Sequence, residues 1–394
     1  MVPSPAKTGH QQMNVLAEAR SLQPALRARS EDIERARRLP ADVAQLLARA
    51  GLFRLLLPKS LDGLELDPAA ALETIEIIAE ADASCGWCVM IATTASLKAA
   101  YLEPAVARQI HLDPLTISGG VFAPMGKAVP EGDAYRVNGR WSWVSGAANC
   151  QWLSGGAVTI EDGKPRLLPN GLPDSRMMIF RAADARLIDT WHVAGLSGTG
   201  SCDMVVEDLL VPKSFTTSLI SDTPRESGPL YRFPSFGLLA LGIAAVMLGN
   251  ARAALRDLVE LATAKTPQGS RRTLAERTGA QASLAEAEAK LRAARAFFYE
   301  TTASAWNRTT AGETVSIEER AALRLAATYA TRTSAEVVRM AYDLGGGTAL
   351  FLSSPLQRRF RDAHAGTQHM MIAPQTYELT GRVLMGLPTD ASLL

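Results

Sequence analysis

Residues 344–369 read LGGGTALFLSSPLQRRFRDAHAGTQH, and the fold turns on how this stretch is understood. A helix ends at Gly345, Gly346 and Gly347, an irregular crossing passes through Ser353, Ser354 and Pro355, and a new helix carries Arg358, Arg359, Arg361, Asp362, His364 and His369. Glycines admit positive φ and close backbone approach, and the free amides at the start of the next helix suit an anion such as a phosphate. The same residues also read as a glycine helix stop followed by a solvated basic turn. The run matches neither the Rossmann fingerprint nor the P-loop.

Working outward, the rest of the C-terminal part has helical period. Apolar residues recur at helical spacing over 236–263, 274–311, 317–344 and 355–385, and four amphipathic helices with short connections predict a bundle over 231–394. Upstream the period drops toward two. Between Leu115 and Pro212 β-branched and aromatic residues are common, and turn signals recur at Gly119-Gly120, Glu131-Gly132-Asp133, Asn138-Gly139, Asp162-Gly163 and Asn170-Gly171. A β-sandwich or barrel over 114–230 is predicted, with Asn138-Gly139 as the turn of a hairpin. Residues 1–113 read as all-helical. A loose arm is expected over 1–12, Pro40 and Gly51 bound one short helix, and Asp67-Pro68 opens another that runs to about Leu97.

Composition narrows the function classes. The chain has 394 residues, 47% hydrophobic and 21% charged, with 41 Lys+Arg against 40 Asp+Glu and a formal charge of +1. That balance gives no reason to expect nucleic acid or a membrane surface as partner. The longest apolar run, 236–248, is shorter than the roughly 20 residues a bilayer needs. No secretory signal is visible at the N-terminus, and a cytoplasmic location is the default expectation. The four cysteines are too few for a disulfide framework, and Cys85-Gly-Trp-Cys88, with no second pair, reads as core packing rather than a metal or redox site. No metal is expected.

Several motifs together carry a resemblance. Gly345 to Gly347 with Arg361-Asp362-Ala363-His364 and His369, the Asp82-Ala83-Ser84-Cys85-Gly86-Trp87 run, the segment Leu52 to Pro58, and above all Tyr135-Arg-Val-Asn-Gly-Arg-Trp-Ser-Trp-Val-Ser145-Gly146 are similar to the acyl-CoA dehydrogenase superfamily. The match is nearest its oxygenase branch, the two-component flavin-dependent monooxygenases with a type-2 C-terminal domain. The resemblance covers nearly the whole chain. It implies an α+β fold of N-terminal helical domain, central β domain and C-terminal four-helix bundle, in a homotetramer built as a dimer of dimers.

It also implies a site. Trp143 and Ser145 lie against a flavin, Ser145 as a hydroxyl donor near N5, with Phe122 and Ala123 at its pyrimidine edge. Gly345, Gly346, Gly347, Arg361 and, from a neighbouring subunit, Arg271 contact the cofactor; a solvated turn explains Arg271 equally well. Ser84, Trp87, Met90 and His369 line the substrate pocket, and His369 faces both flavin and substrate. Met125-Gly126-Lys127 departs from the dehydrogenase form, as suits an exchangeable flavin. His192, mid-pattern in the Trp191 to Ser201 run, is expected to be structural.

The implied activity is oxygenation of a small aromatic, heteroaromatic or heteroatom-bearing molecule, indole-like compounds included, through a C4a-hydroperoxyflavin formed from O2 and FADH2 or FMNH2. The chain has no Gly-x-Gly-x-x-Gly for a nicotinamide, so a separate NAD(P)H:flavin reductase is expected to supply the flavin. Two alternatives stand beside it: an acyl-CoA dehydrogenase with a non-standard base, and a flavin-free scaffold. A dehydrogenase needs a carboxylate to take the α-proton of a thioester. Neither place where the superfamily puts one is filled, because residues 363–377 and 234–255 contain no Asp or Glu.

Overall fold

The computed structural model describes residues 5–392 and 394, with side chains from Asn14 on. Helices come first: α1 (Pro5–Ala28), α2 (Ser30–Ala36), α3 (Ala41–Arg49), α4 (Pro68–Ala81), α5 (Ala83–Ser96) and α6 (Pro104–His111). The arm expected over 1–12 is helical from Pro5, since proline suits a first turn and Ala6, Lys7, Gln11 and Gln12 favour helix. The remainder of that arm lies outside the described residues. The single helix expected from Pro68 to about Leu97 is broken at Asp82, which is extended (φ −148°, ψ 124°) and accepts the Cys85 N–H at 2.9 Å. Asp82 is an N-cap hidden in an apolar run, and it sets where Trp87 points.

The strands are β1 (Val121–Glu131), β2 (Ala134–Val144), β3 (Trp152–Glu161), β4 (Lys164–Pro165), β5 (Ser175–Arg181), β6 (Arg186–Ile188), β7 (Cys202–Pro212) and β8 (Thr216–Thr217). They form a sheet in the order β6-β7-β2-β1-β3-β5-β8, with β4 on β3, and only β1 and β3 pair in parallel. Asn138-Gly139 is not a turn. β2 runs straight through it, and the chain reverses at Gly132-Asp133, where Glu131 pairs with Ala134. Two contacts explain the Asn and the Gly. The Asn138 amide bonds Asp208 at a bulge against β7 (2.9 and 3.2 Å), and a Cβ at Gly139 would strike the buried Trp141 indole. Gly126 and Gly155 flank the same ring, so three glycines make its slot.

Helices return with α7 (Ser235–Ala264), α8 (Thr278–Thr310), α9 (Ile317–Gly345), α10 (Pro355–Gly366) and α11 (Gln375–Leu384). α7 is the one helix among the described residues that is long and apolar enough to cross a bilayer, and 89% of its apolar window is buried inside the molecule. Its side chains join those of α4, α5, α9 and α10 in one core, while Trp141 centres a second core on the sheet. The fourth bundle helix, expected unbroken over 355–385, is interrupted between Gly366 and Gln375. Pro374 disfavours helix at Ala373 and removes a donor, and the Thr367 hydroxyl turns back to the His364 carbonyl at 2.7 Å. His369 therefore caps a short turn over 370–372 rather than riding a helix.

Candidate active site

Ser145 lies just beyond β2, buried, where the N-terminal helices meet the sheet. Its Oγ accepts the Trp87 indole N–H at 3.0 Å and lies 2.7 Å from Ser201 Oγ, which lies 2.7 Å from Thr199 Oγ1; Thr199 donates to the Leu196 carbonyl at 2.8 Å. Both ends of this chain are fixed, because an indole N–H only donates and a carbonyl only accepts. Each hydroxyl has one proton, so Ser145 donates to Ser201 and Ser201 to Thr199. Ser145 consequently offers the site a lone pair. The hydroxyl donor expected there is an acceptor in this arrangement, suited to an N–H of a bound group.

His369 closes the other side of Trp87, with ring centroids 6.0 Å apart. Burial, and then the positive charge of Arg324, push its pKa down to about 4. Its Nδ1 accepts the Met371 N–H at 3.3 Å, which leaves the proton of the neutral ring on Nε2. Trp87 thus donates to a hydroxyl on one side and packs against a neutral imidazole on the other. Of the other two residues expected to line the pocket from α5, Ser84 is covered by Gly198 and Met90 packs beneath Gly242 of α7. Cys88 and Ile91 face the small cavity beside Ser145 instead, with Ile117, Ser118, Gly146 and Cys150.

The Arg361-Asp362 pair joins α10 to the 194–201 loop. The Arg361 guanidinium donates to the Ala194 carbonyl at 2.5 Å and to Gln357 at 2.8 Å, and it pairs with Glu34, so each of its three nitrogens has a partner within the chain. Asp362 accepts the Leu196 N–H at 2.6 Å, and Gly195 sits directly on the Arg361 carbonyl. Together they clamp the 194–201 loop onto α10, and that loop carries Thr199 and Ser201. His364 packs at a tilt against Phe360, ring centroids 4.3 Å apart, and His192 is exposed beside Arg37 and Asp189. Neither reaches Ser145. Thr199 and Ser201 are the T and S of the Gly195-x-x-x-Thr199-x-Ser201 edge that resembles the family pattern before its last strand, and the sequence reading gave them no place in the site.

A second region gathers at one end of the bundle. Gly346 (φ +54°) and Gly347 are exposed, and a side chain at Gly347 would meet nothing within 4 Å. Lys265 Nζ holds the Gly345 carbonyl at 2.6 Å, and the Lys265 carbonyl accepts the Leu274 N–H at 2.8 Å, so the exposed Arg271 loop lies against these glycines. At the sheet, Trp143 is 69% exposed at a strained φ of +65°, one residue from Val144 and two from Ser145. Phe122 is half-buried against Phe236, with Ala123 beside it. An exposed indole next to a hydroxyl acceptor, together with an open glycine cradle beside basic residues, fits a flat heteroaromatic cofactor with a phosphate tail.

The fold and this site define a flavin enzyme of acyl-CoA dehydrogenase type. Family models match as "Acyl-CoA dehydrogenase, N-terminal domain" over residues 9–106 and "Acyl-CoA dehydrogenase, C-terminal domain" over 241–374. The chain is 36% identical to an indole-3-acetate monooxygenase of Pseudomonas putida, covering 91% of this chain and 90% of that one. It is 30% identical to the flavin-dependent monooxygenase oxygenase subunit HsaA of Mycobacterium tuberculosis, covering 97% and 98%. A crystal structure of the latter superposes with a TM-score of 0.90 over 97% of this chain and 100% of that one, at 30% identity. The chain belongs to the acyl-CoA dehydrogenase superfamily, on its flavin-dependent monooxygenase branch, and reduced flavin and O2 are its co-reactants.

Proposed function

We propose that this chain is the oxygenase component of a two-component system that oxygenates a small, indole-like aromatic in the cytoplasm, working as a tetramer with FADH2 or FMNH2 from a separate reductase. Bound reduced flavin supplies the two-electron activation of O2. The protein supplies everything else: Trp143 offers a flat wall, Ser145 accepts a hydrogen bond through a lone pair held in place by Trp87 and Ser201, and His369 keeps a proton on Nε2. A neutral donor in a dry site limits stray proton delivery, which would divert reduced oxygen to hydrogen peroxide.

The observation that carries the reading is the Ser145, Trp87 and His369 cluster with no carboxylate where a dehydrogenase keeps its base. Glu378, the nearest acid downstream of Asp362, is exposed on α11 beyond the break that ends α10. The test supplies reductase, NADH, FAD or FMN, and indole, and measures product and hydrogen peroxide per flavin oxidised. Hydroxylated product in substantial yield is expected. Peroxide alone from indole and every other aromatic offered, or anaerobic bleaching of the oxidised flavin by an acyl-CoA, would overturn it.

A further inference from the structure

The small cavity beside Ser145 has room for about one water-sized molecule, and almost all of the surface it presents is apolar. Leu39, Ala44 of α3, Phe53 and Ala92 of α5, all buried, complete its wall. Small residues on three elements leave the gap. They are Ala44, Ala92 and Gly146, where φ is +72° and a Cβ would come 3.6 Å from Cys88 Sγ. The polar side chains around it turn donors elsewhere. The Asn149 amide donates to the Leu39 carbonyl at 3.0 Å, the Cys150 thiol to the Gly146 carbonyl at 3.5 Å, and the Cys88 thiol to the Thr199 carbonyl at 3.9 Å. Ser145 spends its proton on Ser201.

A buried water makes about three hydrogen bonds, whereas an apolar void stays dry and accepts an apolar guest. A guest of this size and character is a diatomic gas. Ser145 is part of this wall and is also the residue that meets the flavin on the monooxygenase reading. We propose that the cavity is a holding site for dioxygen, which rests between α3, α5 and Ser145 before it reaches the reduced flavin, with Ala44 and Ala92 keeping the space open. The proposal rests on the monooxygenase reading and adds to it the place where the gaseous co-reactant waits. The two thiols tolerate such a neighbour. Desolvation raises the pKa of both, that of Cys150 to about 12, so they stay protonated, and the thiolate is the form that oxidants attack.

The first measurement uses the flavin-free protein with labelled alanine and isoleucine methyl groups, and compares their NMR relaxation under oxygen with that under nitrogen. Dioxygen is paramagnetic, so the methyls of Ala44, Ala92, Ile91 and Ile117 should show a several-fold larger enhancement than those of Ala294 and Ala326, which are as deeply buried in the bundle. Enhancement at the cavity no larger than at Ala294 and Ala326 overturns the proposal without any variant. The second measurement uses Ala92→Val and, separately, Ala44→Val, each of which pushes methyl groups into the gap. The second-order rate constant for reoxidation of the bound reduced flavin by O2, read by stopped flow without aromatic substrate, should drop several-fold while the Kd for reduced flavin stays unchanged. A folded variant that reoxidises its flavin at the unmodified rate also overturns the proposal. Should neither variant fold, the methyl measurement decides alone. Oxygenated product without oxygen enhancement at the cavity sinks this inference and leaves the monooxygenase reading intact. Peroxide as the only product from every aromatic sinks that reading instead, and the methyl measurement, which contains no flavin, is untouched by it.

Discussion

At the scale of single residues, Ser145 and His369 fail in different ways when altered. Ser145→Ala removes the acceptor of the Trp87 indole N–H and leaves that buried donor unpaired, a cost of about 1–3 kcal/mol. The variant should unfold earlier in urea and also release more hydrogen peroxide per flavin oxidised; unchanged values of both would show that the hydroxyl chain is incidental. His369→Ala should keep the fold and flavin binding, since among the described residues the ring's hydrogen bond is a long one from Met371, yet lose product formation by a factor of about 10² to 10⁴. The low pKa of His369 adds a second signature in the unaltered protein. With the folded-state value near 4, product yield per flavin should be flat through pH 6.5 and fall only as the imidazole protonates below about pH 5. A titration step near 6.5 would mean that the ring is solvated.

At the scale of elements, what the sequence made legible was periodicity, and what it hid was the punctuation inside apolar runs. α7 and α9 fall where apolar spacing puts them, because long helices on a core leave an uninterrupted pattern. Asp82 and Pro374 break helices within stretches whose spacing continues across the break, and Asn138-Gly139 mimics a turn although its glycine is there to admit an indole. Trp87, Ser145 and His369 were readable as site motifs, whereas Thr199 and Ser201 were readable as a motif but not as part of the site, because their link to Ser145 is a contact between residues more than fifty positions apart. The clamp of α10 on the 194–201 loop is likewise a tertiary fact, and it titrates. Burial raises the Asp362 pKa to about 7, while the unfolded chain ionises near 3.9. Between about pH 4 and 7 the native state therefore holds a proton that the unfolded state has lost, and stability falls as pH rises through that window. Asp362→Asn keeps an oxygen for the Leu196 N–H and removes the titration. Its stability relative to the unaltered protein should improve from pH 5 to pH 8 by on the order of 2 kcal/mol in urea denaturation. An equal difference at both pH values would show that Asp362 is ionised throughout.

At the scale of the whole molecule, the glycine cradle is left open by the described residues of one chain. Gly346 and Gly347 are exposed, and the next residues put three large apolar side chains into solvent in succession: Leu350 at 68%, Phe351 at 67% and Leu352 at 80%. An exposed apolar cluster of this kind suits an interface with another copy of the chain, and the glycines just before it are held by Lys265, at the start of the loop that carries Arg271 and Arg272. A second copy of the chain covering this end of the bundle would bury the cluster and bring its own Arg271 to the phosphate end of the flavin. Assembly and cofactor affinity are then one property. Replacing Phe351 and Leu352 together by Glu places two charges in the interface, each costly to bury unpaired, without touching Ser145, Trp87 or His369. The double variant should sediment as a smaller species at micromolar concentration and bind reduced flavin at least tenfold more weakly, with an unchanged far-UV circular dichroism spectrum. Arg271→Ala should weaken flavin binding while leaving the assembly intact. A smaller species that binds reduced flavin as tightly as the unaltered protein would place the whole cofactor site within one chain.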